Sequence, residues 1–484
     1  MPSMNITKLK RFFGVAFCLG TLALGIPTLS SRVMATDNQT PILKRTLLSI
    51  VQNAKIDEKT KVGVYVKVLE NGKVVFSSDG NTPLVPASNL KVLTTATSIS
   101  MLGPNYRLKT ELCGPLPNGN GQIEGNLYLR GNGDPTTTPP YDQPCTAPYA
   151  EFIKNLKAAN VREITGDLVA DDSVFDRQHL PQGWLDHYRL DSFSAPVGGL
   201  SLNGNLIEAI VSPLGCSLDP ECSTMSIETK YEGGYDTAVE RPKGSNVVQV
   251  LGSAPGSEVR RQICVEDPPL FSIGVFKKLL DKENIIVRGK VRLIDPAGEA
   301  ALASNLPRYG IHFSLPIATI IQEINHESDN LFAEHLYRYV GQMTSGQGSA
   351  ASGMKACKNF LQDNHINTTN LKMVDGCGLS PENRISPNQL ANVLDAMDRS
   401  YYRSWYKESL PHSGRGTLRG RLGGIEVRAK TGTLDHDSSL TGYVITAAGQ
   451  ELIFSVIIND APIWTAVDTQ NNIVQTLSAW GTRL

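Results

Sequence analysis

Ser88 and Lys91, three residues apart in Ser88-Asn89-Leu90-Lys91, are the first pair in this chain whose types and spacing suggest chemistry. On a helix that spacing puts the hydroxyl and the amine on one face. A serine hydroxyl is a poor nucleophile until a neighbouring base takes its proton. A lysine serves as that base only when burial or a nearby cation lowers its pKa. A helix start adds a positive dipole end and free N–H groups beside the nucleophile. The second group is Ser328-Asp329-Asn330, between two helical segments, where a short loop can present Ser328 and Asn330 to a cleft. The third is Lys430-Thr431-Gly432-Thr433, the one Lys-Thr-Gly triplet of the sequence, in a strand-like run. A glycine inside a strand marks close approach by a ligand or another backbone.

Singly, each group has an ordinary structural explanation. About two S-x-x-K matches are expected by chance at typical composition, and the chain also contains Ser352…Lys355 and Ser404…Lys407. Ser201…Asn203 and Ser386…Asn388 repeat the S-x-N spacing. Serines at such positions cap helices, and Lys430 alone could be an edge-strand lysine. Their order is more specific. S-x-x-K at a helix start, S-D-N between helices and K-T-G on a late strand before a hairpin is the active-site signature of penicillin-recognising serine enzymes. Ser88 and Ser328 lie 240 residues apart, and Ser328 and Lys430 lie 102 apart. The first interval is longer than a compact β-lactamase can accommodate.

The elements that must position these groups follow from periodicity. Residues 62–69 alternate as a strand, turn at Glu70-Asn71-Gly72 and return over 73–77. A helix opens at Pro86-Ala87-Ser88 and stops after Leu102 at Gly103-Pro104. From 105 to 265 short β-like runs (106–113, 122–130, 164–171) are separated by Gly/Pro/Asn clusters, with one helix over 150–160. That texture predicts an inserted, mainly β region of two small domains within a discontinuous domain formed by 36–104 and 266–484. Helices are predicted at 270–283, 316–325 and 330–340, a Gly/Ser-rich loop at 341–353, and a helix from Ser386-Pro387 to 398. Three successive strands (427–433, 439–446, 452–458) precede a last helix over 463–480.

Composition excludes several classes. With 484 residues, 40% hydrophobic, 19% charged and a formal charge of −1, the chain is neither collagen-like, coiled-coil nor disordered. It is too long for a single core, and without a basic block nothing recommends nucleic acid. Lys8, Lys10 and Arg11 precede an uncharged, mostly apolar run over 12–26, then Pro27 and Val33-Met34-Ala35. This is the pattern of a secretory signal cut after Ala35; the run is shorter than the roughly 20 residues a span requires. Bulky Phe17 argues against Cys18 as a lipidation site. Removing Lys8, Lys10, Arg11 and Arg32 with the signal takes the charge from −1 to −5. No later apolar stretch or basic tail suggests a membrane anchor. Export would permit disulfides, with Cys216–Cys222, Cys357–Cys377 and Cys113–Cys145 as local pairs, but the odd mature set leaves at least one thiol outside them.

Over nearly the whole mature length the sequence resembles the low-molecular-mass, class C-type penicillin-binding proteins, D-alanyl-D-alanine carboxypeptidase/endopeptidases of the DacB type. Beyond the three motifs, the likeness lies in Gly131-Asn132-Gly133-Asp134-Pro135-Thr136, in 166–175 (GDLVADDSVF), 195–205 (APVGGLSLNGN) and 375–380 (DGCGLS), and in Gly416-Thr417-Leu418. Cys377 stands where the family commonly has serine. The resemblance implies an α/β (α+β) fold: a β-lactamase-like transpeptidase domain, its antiparallel sheet flanked by helices, carrying mainly-β insertions. It implies a periplasmic enzyme that acts on peptidoglycan stem peptides, is acylated by β-lactams and needs no metal or organic cofactor; related enzymes can be homodimers. Ser88 would attack the carbonyl between two D-alanines, Lys91 would accept its proton, Ser328 would relay it to the leaving amine, and Asn330 would position Lys91 and the substrate amide. Lys430 would meet the substrate carboxylate, with Thr431, Gly432 and Thr433 beside it and the N–H groups of Ser88 and Thr433 as oxyanion hole. Asp171 would meet the free amine of a diaminopimelate-type peptide. A β-lactamase or esterase using the same residues, and an inactive peptidoglycan-binding protein, are the competing expectations.

Overall fold

Alternation along Glu451–Asn459 sets the centre of the molecule. Leu452, Phe454, Val456 and Ile458 enter one apolar cluster, while Ile453 and Ile457 enter another on the opposite face. A strand apolar on both faces requires cover on both. In this computed structural model, which describes residues 40–231, 233, 236–295 and 298–484, helices supply that cover. Thr40–Ala54 and Ile463–Ser478 pack Leu43, Leu47, Val51, Ile473 and Leu477 on one side. Lys91–Leu102, Ile317–His326, Asn330–Ser345 and Pro387–Arg399 close the other. The expected signal segment and its cut after Ala35 lie outside the described residues.

The sheet has five antiparallel strands in the order Val427–Thr433, Ser438–Ile445, Glu451–Asn459, Lys61–Val68, Val74–Ser78. Lys61 pairs with Asn459, so the first and last portions of the described chain meet at the middle of the sheet. This is the expected antiparallel sheet with helices on both faces.

A second five-stranded sheet, of mixed direction, runs Val291–Leu293, Leu168–Asp171, Leu127–Gly131, Lys109–Cys113, Arg308–Phe313. Its strands come from both sides of residue 265, and two three-stranded sheets over 206–264 accompany it. Tyr149, Phe152, Leu168, Phe271 and Phe276 belong to the apolar core of this layer. The motif regions 131–136 and 195–205 fasten it to the helical layer. A Cβ on Gly131 would lie 2.3 Å from the Gly199 carbonyl oxygen, so only glycine permits that approach. Beside it, fully buried His335 donates from Nδ1 to the Leu331 carbonyl (2.8 Å) and accepts from Ser201 Oγ at Nε2 (2.9 Å).

Two expectations need correction. The predicted loop at 341–353 is mostly helix: Asn330–Ser345 ends at Gly346, with φ +85°, and Ala350–Asp363 begins after the Ser349 cap. Apart from Gly346, which ends the first helix, its glycines serve close packing instead of a turn. A Cβ on Gly341 would stand 2.5 Å from the Gly353 nitrogen, and one on Gly353 would stand 2.8 Å from the Tyr337 ring. Ser352 accordingly completes a capping box with Ser349, which accounts for one spare S-x-x-K match. The three local disulfides do not form; all seven cysteines of the described residues are unpaired. Cys113 packs with Tyr128 and Val169, whereas Cys145 sits in the separate core around Tyr149.

Burial holds the His335 pKa down to about 4, against an ordinary 6.5. The unfolded chain therefore binds a proton that the folded one refuses, and the stability this residue contributes is lost as pH falls from about 6.5 toward 4. Thermal melts across that window should show this loss, with a shallower slope in His335→Gln.

Candidate active site

Ser88 lies on a strained turn. Ala87–Leu90 forms a single 3-10 turn leading into Lys91–Leu102, and Ala87 adopts φ +47°, unusual for a residue with a side chain. Ser439, on the neighbouring strand, pins the turn by donating from Oγ to the Pro86 carbonyl (2.5 Å) and accepting from Asn89 Nδ2 (2.7 Å). A Cβ on Gly432 would sit 2.8 Å from both the Ser88 nitrogen and the Pro86 oxygen. The glycine of Lys-Thr-Gly thus lets the strand lie directly against the serine turn.

Lys91 is fully buried, and Ser88 half-buried above it. Lys91 Nζ lies 2.9 Å from Ser88 Oγ, 2.6 Å from Asn330 Oδ1 and 2.8 Å from the Cys377 carbonyl oxygen. Burial lowers its pKa, while nearby Asp375, Asp329 and Glu334 oppose the shift. Burial also raises the pKa of each of these three carboxyls, Glu334 to about 7, and holds the Cys377 thiol neutral.

Asn330 reaches Lys91 because Asp329, not Ser328 or Asn330, caps the helix: its carboxylate accepts from Phe332 N at 2.8 Å. Ser328, at φ +64°, turns its hydroxyl to Lys430 Nζ, 3.0 Å away. Lys430 also donates to the Thr431 carbonyl (2.9 Å) and is fully buried. Burial first, and the charge of Lys91 second, push its pKa well below the ordinary lysine value. Val427–Thr433 is the outermost strand, with Ala429 N–H donating outward to Pro411 (2.9 Å). The two-residue period puts the backbone groups of Thr431 and Thr433 on the same outer edge.

The three motifs therefore converge through direct hydrogen bonds. Asp171 does not join them. It is buried at the end of Leu168–Asp171, paired in register with Arg130, and its carboxylate accepts from Arg130 Nε (2.7 Å) and Ser173 Oγ (2.6 Å). A cavity of about 440 Å³ next to the Ser-Asp-Asn turn is walled by Tyr141 and Phe193 from the second layer and by Glu323 and Glu327. Phe193 also reaches the cluster, its carbonyl accepting from Asn330 Nδ2 at 2.8 Å.

Sequence reasoning missed the backbone of 375–380 as part of the site, although its Asp-Gly-Cys-Gly-Leu-Ser motif was visible. Asp375 accepts from Gly378 N (2.8 Å), Asn383 Nδ2 (2.8 Å), Ser380 N (2.7 Å) and Trp184 Nε1 (3.0 Å). The loop so held presents the Cys377 carbonyl to Lys91. Glu334, Asp375 and Cys377 bring ligand atoms within 4.8 Å of one another. With four hydrogen bonds on Asp375 and a neutral thiol, this donor set suits a loop anchor better than a cation.

Comparison with known proteins shows the family. The model of the D-Ala-D-Ala carboxypeptidase 3 (S13) family matches residues 43–484. The chain belongs to this family. It is a serine-type D-Ala-D-Ala carboxypeptidase of the DacB-like group. It is 29% identical over 427 residues to the D-alanyl-D-alanine carboxypeptidase of Actinomadura sp. (strain R39), covering 82% of this chain and 77% of that one. It is 26% identical over 433 residues to D-alanyl-D-alanine carboxypeptidase DacB of Haemophilus influenzae, covering 84% and 86%. The crystal structure of penicillin binding protein 4 from H. influenzae shares the fold, with a TM-score of 0.75 at 24% identity over 90% of this chain and 99% of that one.

Gly378 tests the fit of the loop against the turn. At φ +86°, a Cβ here would lie 1.9 Å from the Ala87 carbonyl oxygen. Gly378→Ala should cost about 1–3 kcal/mol in chemical denaturation and slow acylation of the remaining folded enzyme by displacing Ser88.

Proposed function

We propose that Ser88 is the acylated nucleophile of a DD-peptidase acting on peptidoglycan stem peptides, with Lys91 as its base. The observation that carries this reading is the contact between a fully buried lysine amine and a serine hydroxyl 2.9 Å away. Lys91 removes the Ser88 proton as Oγ bonds to the carbonyl carbon between two D-alanines. The C–N bond then breaks, and Ser328, linked to Lys430, passes a proton to the departing amine. Water hydrolyses the ester and regenerates Ser88. Ser88 N–H and Thr433 N–H supply the oxyanion hole, each such donor being worth about 2.7–4 kcal/mol. The peptide adds along the outer edge of Val427–Thr433, and Lys430 with Thr431 and Thr433 receives its carboxylate. Gly432 keeps that edge against the serine turn. Asp171 is left out of the substrate set because Arg130 and Ser173 occupy its carboxylate. The 1–35 segment serves export to the periplasm, where the substrate lies. Among the described residues no helix is long and apolar enough to cross a membrane.

A β-lactam presents its amide to the same serine, and a structure of the H. influenzae relative holds such a compound. Fluorescent penicillin should label the wild type stably and leave Ser88→Ala unlabelled; rapid turnover of penicillin would indicate a β-lactamase instead. Lys91→Ala should acylate roughly 10²–10⁴-fold more slowly, the usual contribution of a general base. Because Lys91 acts when neutral, the acylation rate should rise with pH through its lowered pKa, which a pH series of labelling rates would read. Mass analysis of products from cross-linked muropeptides would divide carboxypeptidase from endopeptidase action.

A further inference from the structure

Glu334 is the one buried carboxylate around Lys91 whose position has no role in the reaction described so far. It lies one helical turn after Asn330 on Asn330–Ser345, with no exposure to solvent. Residues four apart share a helix face, so both look toward Lys91. Asn330 touches the amine directly. Glu334 reaches it through the backbone: its Oε1 accepts from Gly376 N (2.6 Å) and Cys377 N (2.8 Å), and the Cys377 carbonyl accepts from Lys91 Nζ at 2.8 Å. Among the described residues its second oxygen forms no hydrogen bond of ordinary geometry, and the Cys377 thiol is the polar group nearby. A buried carboxylate with one oxygen unsatisfied is expensive, and the two N–H groups that its other oxygen holds are what offset that cost.

We propose that Glu334 is a positioning residue for the DD-peptidase reaction, fixing the Gly376–Cys377 backbone so that the Cys377 carbonyl is held against the Lys91 amine. This rests on the reading of Lys91 as the base. The carbonyl and Asn330 Oδ1 fix two of the directions in which the amine can hydrogen-bond, leaving a third aimed at Ser88. Loss of the carbonyl lets the amine swing away from the serine. The titratable and charged groups that face Glu334 are Asp375 and Cys377 from the loop, Lys91 from the neighbouring helix, and Arg338 and Tyr337 from its own helix.

The test compares Glu334→Ala with Glu334→Gln in the full-length enzyme, following penicillin acylation and D-alanine release against pH. Glu334→Ala should lower kcat about tenfold or more, the scale of an ångström-sized misplacement, with KM changed less than about threefold, and should move the acid limb of the profile to lower pH because the Lys91 ammonium has lost an acceptor. Glu334→Gln, which keeps an acceptor oxygen without the charge, should restore kcat to within about threefold, while its acid limb also moves to lower pH because the charge that raises the Lys91 pKa is gone. A folded Glu334→Ala enzyme with wild-type kcat and profile overturns the proposal. So does a Glu334→Gln kcat as impaired as that of Glu334→Ala, since charge and not the acceptor would then matter. If Glu334→Ala does not fold, Glu334→Asp, one methylene short of the loop, replaces it with the same expectations. Lys91→Ala separates the two readings: retained acylation there defeats the base assignment, whereas inactive Lys91→Ala beside unaffected Glu334→Ala defeats only this proposal.

Discussion

The site depends on keeping the Lys91 amine dry. A lysine in water holds its proton at neutral pH and cannot take another from serine. Packing between the turn, the Ser-Asp-Asn helix and the 375–380 loop removes that water, and the cost of burying charge drives the amine toward its neutral form. Lys430, buried close by, meets the same penalty and adds like-charge repulsion between the two amines. The surrounding acids limit the opposite pull because they are buried too, and so hold their own protons more tightly than usual. A polar cluster of this kind keeps its geometry only when nearly every member is hydrogen-bonded.

Close approach is the second constraint. Gly432 against Ser88, Gly378 against Ala87 and Gly131 against Gly199 each join two segments distant in sequence at a distance no side chain would allow. The first two both lie against the backbone of the Ser88 turn. Ala87 stays in its strained conformation because its neighbours leave no room to relax.

The catalytic motifs and the central sheet were legible in the sequence for different reasons. The sheet strands showed in a period of two over 62–69 and in a short, nearly unbroken apolar run over 452–458, and the helix from Ser386 in its cap and Pro387. The motifs were individually weak and became informative through their order. The 341–353 region misled because Gly and Ser favour loops locally, while here tertiary packing of two helices decided their use. The surroundings of Asp171 were not legible because family likeness places a residue on a strand end without saying which partner its carboxylate meets; here Arg130, directly across the ladder, meets it. The Cys377 carbonyl was invisible because a backbone atom leaves no trace in residue type.

The pairing of Lys61 with Asn459 also governs when the enzyme can exist. Ser88 is made early and the strand it leans on is made almost last, with the entire second layer between them. Such contacts have high contact order and form slowly, since loop closure must precede them. Until the C-terminal strands have been synthesised, Ser88 has neither Ser439 to pin its turn nor Lys430 to complete its cluster. On the proposed reading, activity therefore waits for completion of the chain, and a fragment truncated before residue 427 carries Ser88 and Lys91 without the strand that packs against them.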